Sequence, residues 1–215
     1  MNKCQIYIVR HGESIGNLNL TFLGHTDLDL SEKGYLQAEK TADYLSDIHF
    51  DAIYSSDLLR AYNTAIPNAN KRGLSVIPRE NLREVFAGEW ENMTCHDIEE
   101  KYGDLYRVGW LREYGSFCFP GGESTIDAGK RFFNELSIIA KENIGKTILV
   151  ASHGAVIRSF WAMISCISAK DISEKLPFAT NASFSIVEYD GKTFIPTSYS
   201  QDLHLSDVGI TQLLF

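Results

Sequence analysis

The sequence has few cysteines, no long apolar run and fewer basic than acidic residues. Its four cysteines, at positions 4, 95, 118 and 166 of 215 residues, are widely spaced and form no Cys-x-x-Cys pair. This spacing predicts reduced cysteines in a cytoplasmic protein rather than a disulfide framework or a zinc site. No stretch approaches the ~18 consecutive apolar residues of a membrane helix, so we expect no association with a membrane.

The acidic balance disfavours one class of partner. Lys and Arg number 20 and Asp and Glu 28, which gives a net charge of −8. Proteins that bind nucleic acid cluster Lys and Arg against its phosphates, so we expect no nucleic-acid partner. A small anionic substrate is compatible with this charge, because the local charge at a site decides its binding. The length predicts a single domain over residues 1–215, since chains usually divide only beyond about 250–300 residues.

Short apolar runs alternate with helical patterns along the chain. We expect strands over residues 5–9, 52–55, 74–78 and 147–151, and a strand pair over 182–189 and 193–195. A polar loop is expected from residue 12 to about residue 30. Four helices are expected. The first runs from the cap Ser31 to about residue 45, and the second runs from the cap Asp57 to its end near Pro67, which disturbs it. The third runs from the cap Ser124 to about residue 139, and the fourth spans 155–164. The alternation predicts an α/β fold with a mostly parallel sheet and a mixed edge.

Two histidines stand directly after two of these strands. His11 follows the run 5–9 through Arg10, and His153 follows the run 147–151 through Ser152. Ligands of open parallel sheets bind just beyond the carboxyl ends of the strands. The two histidines are therefore expected to meet at one edge of the sheet, where phosphate could be held and attacked.

The residue types around this edge suit phosphoryl transfer. A neutral imidazole such as that of His11 can attack phosphorus when a hydrogen bond fixes its other ring nitrogen. Arg10 and Arg60 would favour the neutral ring and stabilise the oxygens of the transition state, and His153 could bond a phosphate oxygen. No metal is expected, because the other histidines have no ligand-like spacing with these two.

A leaving alkoxide also needs a proton donor. Glu84 is the candidate general acid, and the same carboxylate would later activate water. Glu89 and Glu91 compete for this role, and spacing alone does not choose among the three.

An aromatic segment lies between residues 90 and 120. Tyr102, Tyr106, Trp110 and Tyr114 recur every four residues, which is typical of a helical stripe packed on the core. The alternative is a lid over the site that makes apolar contacts with the substrate.

Five motifs in order resemble those of the histidine phosphatase, or phosphoglycerate-mutase-like, superfamily. They extend from residue 6 to about residue 158 and comprise Arg10-His11-Gly12-Glu13-Ser14 with Asn17, Ser55 to Ala61 with Thr64-Ala65, Leu82-Arg83-Glu84 with Gly88 to Glu91, Gly121 to Ser124, and Ser152-His153-Gly154. The resemblance implies a three-layer α/β/α sandwich and a covalent phosphohistidine intermediate, with no metal or other cofactor.

The resemblance also implies the roles of individual residues. It makes His11 the nucleophile, and it selects Glu84 as proton donor by its distance to Gly88. The implied substrate-binding residues are Arg10, Ser14, Asn17, Gly24, Arg60 and His153. Two positions depart from the family's pattern, because Asn92 stands where many members have glycine and Ala87 replaces a common aromatic residue.

Hydrolysis of a small phosphomonoester is the favoured function, and three alternatives stay open. A cofactor-dependent phosphoglycerate mutase usually has a longer insertion and an Arg-His-Tyr run after the acid, where this chain has Val85-Phe86-Ala87. For a carboxylate-bearing substrate, Arg83, Arg107 and Arg112 are candidate ligands. Gly12 to Gly16 also fits G-x-S-x-G, with Ser14 as a hydrolase nucleophile and His153 as its base. The third alternative is a phosphate-binding module without turnover.

Overall fold

A six-stranded sheet runs through the centre of the computed structural model, which describes residues 2–211. Its strands are β1 (Cys4–Arg10), β2 (Ala52–Ser55), β3 (Val76–Pro78), β4 (Thr147–Ser152), β5 (Phe184–Tyr189) and β6 (Phe194–Gln201). The strand order is β3-β2-β4-β1-β5-β6. The first four strands are parallel, whereas β5 and β6 are antiparallel to their neighbours. The predicted parallel sheet with a mixed edge is confirmed.

Helices cover both faces of this sheet. The α-helices are α1 (Ile15–Leu18), α2 (Glu32–Tyr44), α3 (Leu59–Arg72), α4 (Cys95–Tyr102), α5 (Thr125–Glu142), α6 (Gly154–Ile164) and α7 (Ile172–Lys175). Short 3-10 helices lie at Glu80–Leu82, Gly88–Trp90, Tyr114–Ser116, Ala169–Asp171 and Leu203–Leu205, and a π-helix spans Leu105–Trp110. Among residues 2–211, no helix has both the length and the apolar character needed to cross a bilayer.

The alternation of side chains along β1 divides the core into two layers. Ile6 packs in the cluster that includes Phe132 of α5, whereas Tyr7 packs in the cluster that includes Ala65 of α3. Successive strand residues point to opposite faces, so one strand contributes to both clusters. Helices α5 and α6 pack together, as do α2 and α3. The expected three-layer α/β/α sandwich is confirmed.

Two details of α3 differ from the expectation. Asp57 does not cap the helix, because it accepts a 2.8 Å hydrogen bond from the Arg83 guanidinium, and Asp27 caps the Leu59 N–H instead at 2.7 Å. Pro67 also fails to end the helix, which continues to Arg72. A proline removes one helical hydrogen bond, but the buried face of α3 stabilises the helix by tertiary packing that local sequence does not report.

The aromatic segment is helical but discontinuous. Tyr106, Trp110 and Tyr114 are buried in the core, as the four-residue spacing predicted. The stripe is broken at Gly103, whose φ of +51° ends α4, and it resumes in the π-helix. Two expectations stay predictions. One is that residues 90–120 form a lid over the site, and the other is that residues 1–215 form a single domain.

Candidate active site

The pairing of β1 with β4 brings the two histidines together. Arg10 lies opposite Ser152 in this parallel register, so the next residue of each strand reaches the same edge. The ring centroids of His11 and His153 are 5.2 Å apart, and both side chains are buried. The two strand ends and their histidines therefore lie together at one edge of the sheet, as the sequence predicted.

Local hydrogen bonds fix the tautomer of His11. Its Nδ1 lies 2.7 Å from the carbonyl oxygen of Gly12, which can only accept, so Nδ1 carries the proton and Nε2 presents a lone pair. Burial lowers the pKa of His11 well below 6.5, and the charges of Arg60 and Arg10 lower it further. The imidazole is therefore neutral at physiological pH, as a nucleophile requires.

Two buried guanidiniums lie beside this ring. Arg10 donates to the carbonyl of Ala179, and a Cβ at Gly154 would come within 3.1 Å of its Nε, so glycine allows this close approach. Arg60 occupies the first turn of α3 and donates to the carbonyls of Thr26 and Gly24 at 2.9 and 2.7 Å. Burial lowers the pKa of each guanidinium to about 10, which leaves both charged at neutral pH.

Gly24 supports Arg60 through its backbone. Its φ of +52° is a left-handed conformation, and a Cβ would lie 2.8 Å from the Ala87 nitrogen. A side chain at this position would be strained and would collide with backbone. Gly24 lines the cavity described below, and its role in binding substrate stays a prediction.

Glu84 is held by backbone donors at the start of α6. Its Oε1 accepts from the amides of Val85 and Val156, both at 2.9 Å, and its Oε2 accepts from the amide of Ala155 at 3.0 Å. The free N–H groups of a helix N-terminus stabilise a carboxylate in this position. Oε2 therefore keeps more free acceptor capacity than Oε1.

The two rival glutamates lie elsewhere. Glu89 is exposed and accepts from the hydroxyl of Tyr102, and Glu91 accepts from the His25 amide and the Thr26 hydroxyl. Neither lines the cavity, whereas Glu84 does. Of the three carboxylates, the structure thus brings only Glu84 to the cavity, and its role as the acid stays a prediction.

Arg131 braces the loop that carries Glu84. Its guanidinium donates to the backbone carbonyls of Asn81, Arg83 and Glu84 at 2.9 to 3.0 Å, and it pairs with Glu123 at 2.9 Å. The loop is thereby fastened to α5. The sequence interpretation gave Arg131 no role, because a helical arginine looks like an ordinary surface residue.

Ser14 and Asn17 form a reciprocal cap on α1. The Ser14 hydroxyl accepts from the Asn17 amide, and Asn17 Oδ1 accepts from the Ser14 amide, both at 3.1 Å. Since Oδ1 is engaged, the Nδ2 of Asn17 is the part of the amide that is left for a ligand. Within residues 2–211 no hydrogen bond joins Ser14 to His153, so the nucleophile–base pair of the serine-hydrolase alternative is not formed.

Asn181 is a buried residue that sequence reasoning missed. Its Nδ2 lies 3.0 to 3.1 Å from the carbonyl oxygens of His11 and Gly12 and from Oδ1 of Asn17. It thus links the loop before β5 to the loop after β1. Its only sequence signal is a polar residue just before a strand, which is also typical of an ordinary turn.

A cavity of about 70 Å³ joins these groups. Its lining includes most of the predicted site residues: Arg10, His11, Ser14, Asn17, Gly24, Arg60 and Glu84. His153 is buried and does not line the cavity itself, whereas the adjacent Gly154 does. Arg10 Nε and both ring nitrogens of His153 are buried without a hydrogen-bond partner in the described part of the chain. Such orphaned polar atoms indicate a place where a polar ligand binds.

The two departures from the family's pattern have structural counterparts. Asn92 has a φ of +64°, a conformation that glycine adopts freely and that asparagine tolerates better than most residues. Ala87 lines the cavity, so its small side chain leaves more space there than an aromatic residue would. Among residues 2–211, no group of three or more His, Cys, Asp or Glu is arranged to hold a metal ion.

Comparison with known proteins assigns the family. The family model of the histidine phosphatase superfamily (branch 1) matches residues 6–212. The chain is 33% identical to phosphoserine phosphatase 1 of Hydrogenobacter thermophilus over 94% of this chain and 95% of that protein. It is 32% identical to the 2,3-bisphosphoglycerate-dependent phosphoglycerate mutase of Cytophaga hutchinsonii, covering 82% and 84% of the two chains. The structure of Bacillus stearothermophilus YhfR superposes with a TM-score of 0.88 at 27% identity, covering 94% of this chain and all of that one.

The family match spans most of the chain, and the superposition shows the same fold. This chain belongs to the histidine phosphatase superfamily, branch 1.

Proposed function

We propose that the protein is a metal-independent phosphomonoester hydrolase that acts through a covalent phosphohistidine on His11. The observation that supports this most is the neutral, tautomer-fixed His11 beside two buried guanidiniums and the unpartnered His153. A phosphoryl group carries its negative charge on oxygens that Arg10, Arg60 and His153 can bind. A site that only bound phosphate would need neither a neutral nucleophile nor a carboxylate.

The first step forms the phosphoenzyme. His11 Nε2 attacks phosphorus as the bond to the leaving oxygen breaks, and Glu84 gives its proton to that oxygen. We assign this proton to Oε2, because Oε1 already accepts two amide bonds whereas Oε2 accepts one. The product alcohol then leaves.

The second step regenerates the free enzyme. Water attacks the phosphorus of phosphohistidine, Glu84 takes a proton from that water, and the P–N bond breaks to return its electron pair to Nε2. Inorganic phosphate is released. Asn17 is placed to donate from Nδ2 to a phosphate oxygen in both steps, and Ser14 and Gly24 hold the loops around it.

A phosphoglycerate mutase is the alternative, since several relatives, among them that of Cytophaga hutchinsonii, bear that name. Hydrolysis is favoured because Val85-Phe86-Ala87 replaces the Arg-His-Tyr run that mutases usually have after the acid, and Val85 and Ala87 line the cavity with apolar groups. We take the substrate to be a small phosphorylated metabolite.

The test is the hydrolysis of p-nitrophenyl phosphate with chelator present throughout. The wild type is expected to turn over, and His11→Ala is expected to lose hydrolysis. His49→Ala is the matched control, because His49 is exposed and lies away from the cavity. Full activity of His11→Ala, or activity that chelator removes and added metal restores, would contradict the proposal. Formation of 2-phosphoglycerate from 3-phosphoglycerate in the presence of 2,3-bisphosphoglycerate, faster than hydrolysis, would favour the mutase.

A further inference from the structure

The cavity is lined by two chemically different groups of residues. One group of lining residues is charged or titratable and includes the arginines and His11, and the other is a set of seven apolar residues, here called the apolar wall. The apolar wall consists of Phe22, Leu23, Val85, Ala87, Trp110, Phe119 and Phe178. A phosphoryl group on His11 engages the arginines, so the alcohol part of the substrate contacts the rest of the lining, much of which is this wall.

The cavity offers no cation to a second negative group on the substrate. Among the described residues that line it, Arg10 and Arg60 are the only Lys or Arg, and both lie beside His11. A substrate carboxylate would therefore enter an apolar surface without a countercharge, which is costly. The rim polar groups, such as Thr21, carry no charge.

The arginines that the sequence suggested for a carboxylate lie off the cavity. Arg83 pairs with Asp57 and Glu80, and Arg107 pairs with Glu99 and Asp104. Arg112 is exposed and does not line the cavity either. The expectation that these side chains could bind a substrate carboxylate is not supported by their positions.

The apolar wall is built in advance by ring packing. The Trp110 ring contacts Phe119 at 5.2 Å and Phe178 at 5.8 Å between centroids. Arg158 lies over the Phe178 ring at 4.3 Å and is itself bound to the carbonyl of Leu176 at 2.7 Å. Trp110 ends the π-helix, a helix form that is frequent at functional sites. These contacts fix a shaped apolar surface before substrate binds.

We infer that the alcohol part of the substrate is uncharged and apolar or aromatic. This rests on the proposed function, since it concerns the leaving group of the same reaction. This inferred substrate preference distinguishes this chain from relatives named for phosphoserine and phosphoglycerate, whose names imply substrates that carry a carboxylate.

The test compares three primary alkyl esters of similar leaving group: 2-phenylethyl phosphate, O-phosphoserine and 3-phosphoglycerate. We expect kcat/KM for 2-phenylethyl phosphate to exceed that for either charged ester by at least about tenfold, the value of a well-filled apolar subsite. Hydrolysis of a charged ester with equal or higher kcat/KM would overturn the inference while leaving the proposed function intact. Absence of hydrolysis for all three and for p-nitrophenyl phosphate would overturn both.

Two variants test the apolar wall itself. Phe178→Leu is expected to lower kcat/KM for 2-phenylethyl phosphate about tenfold and to leave that for phosphoserine unchanged. Phe133→Leu is its matched control, because Phe133 packs on Phe160 and Phe194 away from the cavity. Equal losses for both esters in Phe178→Leu would contradict a role in leaving-group selection.

The second variant adds the missing charge at the rim. Thr21 is half-exposed, and its hydroxyl donates only to the Asn19 carbonyl at 3.3 Å, so Thr21→Lys is compatible with the fold. We expect it to raise kcat/KM for phosphoserine and 3-phosphoglycerate about fivefold, with little change for 2-phenylethyl phosphate. No gain for the charged esters in a folded variant would contradict the inference that a countercharge is what the cavity lacks.

Discussion

His11 owes its chemistry to its surroundings more than to its residue type. Burial is the largest cause that lowers the pKa of the ring, and the two arginines act in the same direction. The hydrogen bond to the Gly12 carbonyl opposes this shift, but it also selects the tautomer with Nε2 free. The groups proposed to bind the phosphoryl oxygens thus keep the proposed nucleophile unprotonated.

The pH profile of kcat/KM follows from this shift. An ordinary histidine would protonate as the pH falls through about 6.5 and would lose its lone pair. Because the pKa of His11 lies well below that value, the neutral form persists, and we expect no loss of kcat/KM between about pH 7 and about pH 6. An acid limb centred near pH 6.5 in assays with p-nitrophenyl phosphate would contradict the buried neutral ring.

The contribution of Glu84 to kcat/KM is expected to rise with the basicity of the leaving group. In Glu84→Gln, kcat/KM for an alkyl phosphate should fall by at least about 10²-fold, because the alkoxide needs a proton. For p-nitrophenyl phosphate the loss should be much smaller, since p-nitrophenolate leaves without one. Equal losses of kcat/KM for the two substrates would point to a structural role for Glu84.

The sequence could predict the positions of some site residues but not of others. His11 and His153 were predictable because the carboxyl ends of parallel strands share an edge, and local runs of apolar residues reveal such strands. The choice of Glu84 over Glu89 and Glu91 came from the family resemblance, not from the spacing of charges. Asn181 was not predictable, since its partners lie more than 160 residues away in the chain.

At the scale of elements, the site is assembled from loops held by backbone hydrogen bonds. Asn181 ties the loop before β5 to the carbonyls after β1, and Arg131 of α5 ties down the loop of Glu84. These side chains touch no reacting atom in the proposed mechanism. They set the position of groups that do, which makes them positioning residues.

Replacing Asn181 tests this arrangement. Asn181→Ala removes the donor shared by His11, Gly12 and Asn17, and displacement of these loops should lower kcat/KM by about 10²-fold. Asn143→Ala is the matched control, because Asn143 is also buried and donates to Tyr54 and Ile139 far from the cavity. We expect the control to lose thermal stability while its kcat/KM per folded molecule stays near that of the wild type. Similar kinetic losses in both variants would contradict a positioning role.

Local patterns also misplaced some element boundaries. Asp57 has the composition of a helix cap, yet Arg83 from a distant loop engages its carboxylate, so the cap comes from Asp27. The aromatic spacing of residues 102–114 correctly indicated a buried helical stripe, but it did not indicate the π-helix, whose last residue, Trp110, packs against Phe117 and Phe119.

At the scale of the whole molecule, an acidic protein buries a positive site. The net charge is −8, yet Arg10 and Arg60 are almost completely buried beside two histidines. Like charges in a buried site destabilise the fold, and Glu84 supplies partial compensation. An oxyanion that binds the folded state alone should therefore stabilise the molecule.

Inorganic phosphate is expected to raise the melting temperature. At a hundred times its Kd, a ligand of the native state adds about 2.7 kcal/mol of stability, which corresponds to a shift of several degrees. Arg60→Ala should lose most of this phosphate-dependent shift. Arg72→Ala is the control, because Arg72 likewise donates to backbone carbonyls, those of Leu45 and Ile48, but lies off the cavity. A full phosphate shift in Arg60→Ala, measured by thermal unfolding, would contradict the assigned anion site.

The most direct test of the account is a rapid-mixing experiment on Glu84→Gln with p-nitrophenyl phosphate. Without its carboxylate the variant should still form the phosphoenzyme from this activated ester, but it should hydrolyse the intermediate slowly. We predict a burst of one p-nitrophenolate per chain, followed by slow turnover, and mass spectrometry should place one phosphoryl group on His11. Slow turnover without a burst and with unmodified His11, or a phosphoryl group on Ser14 instead, would contradict the account.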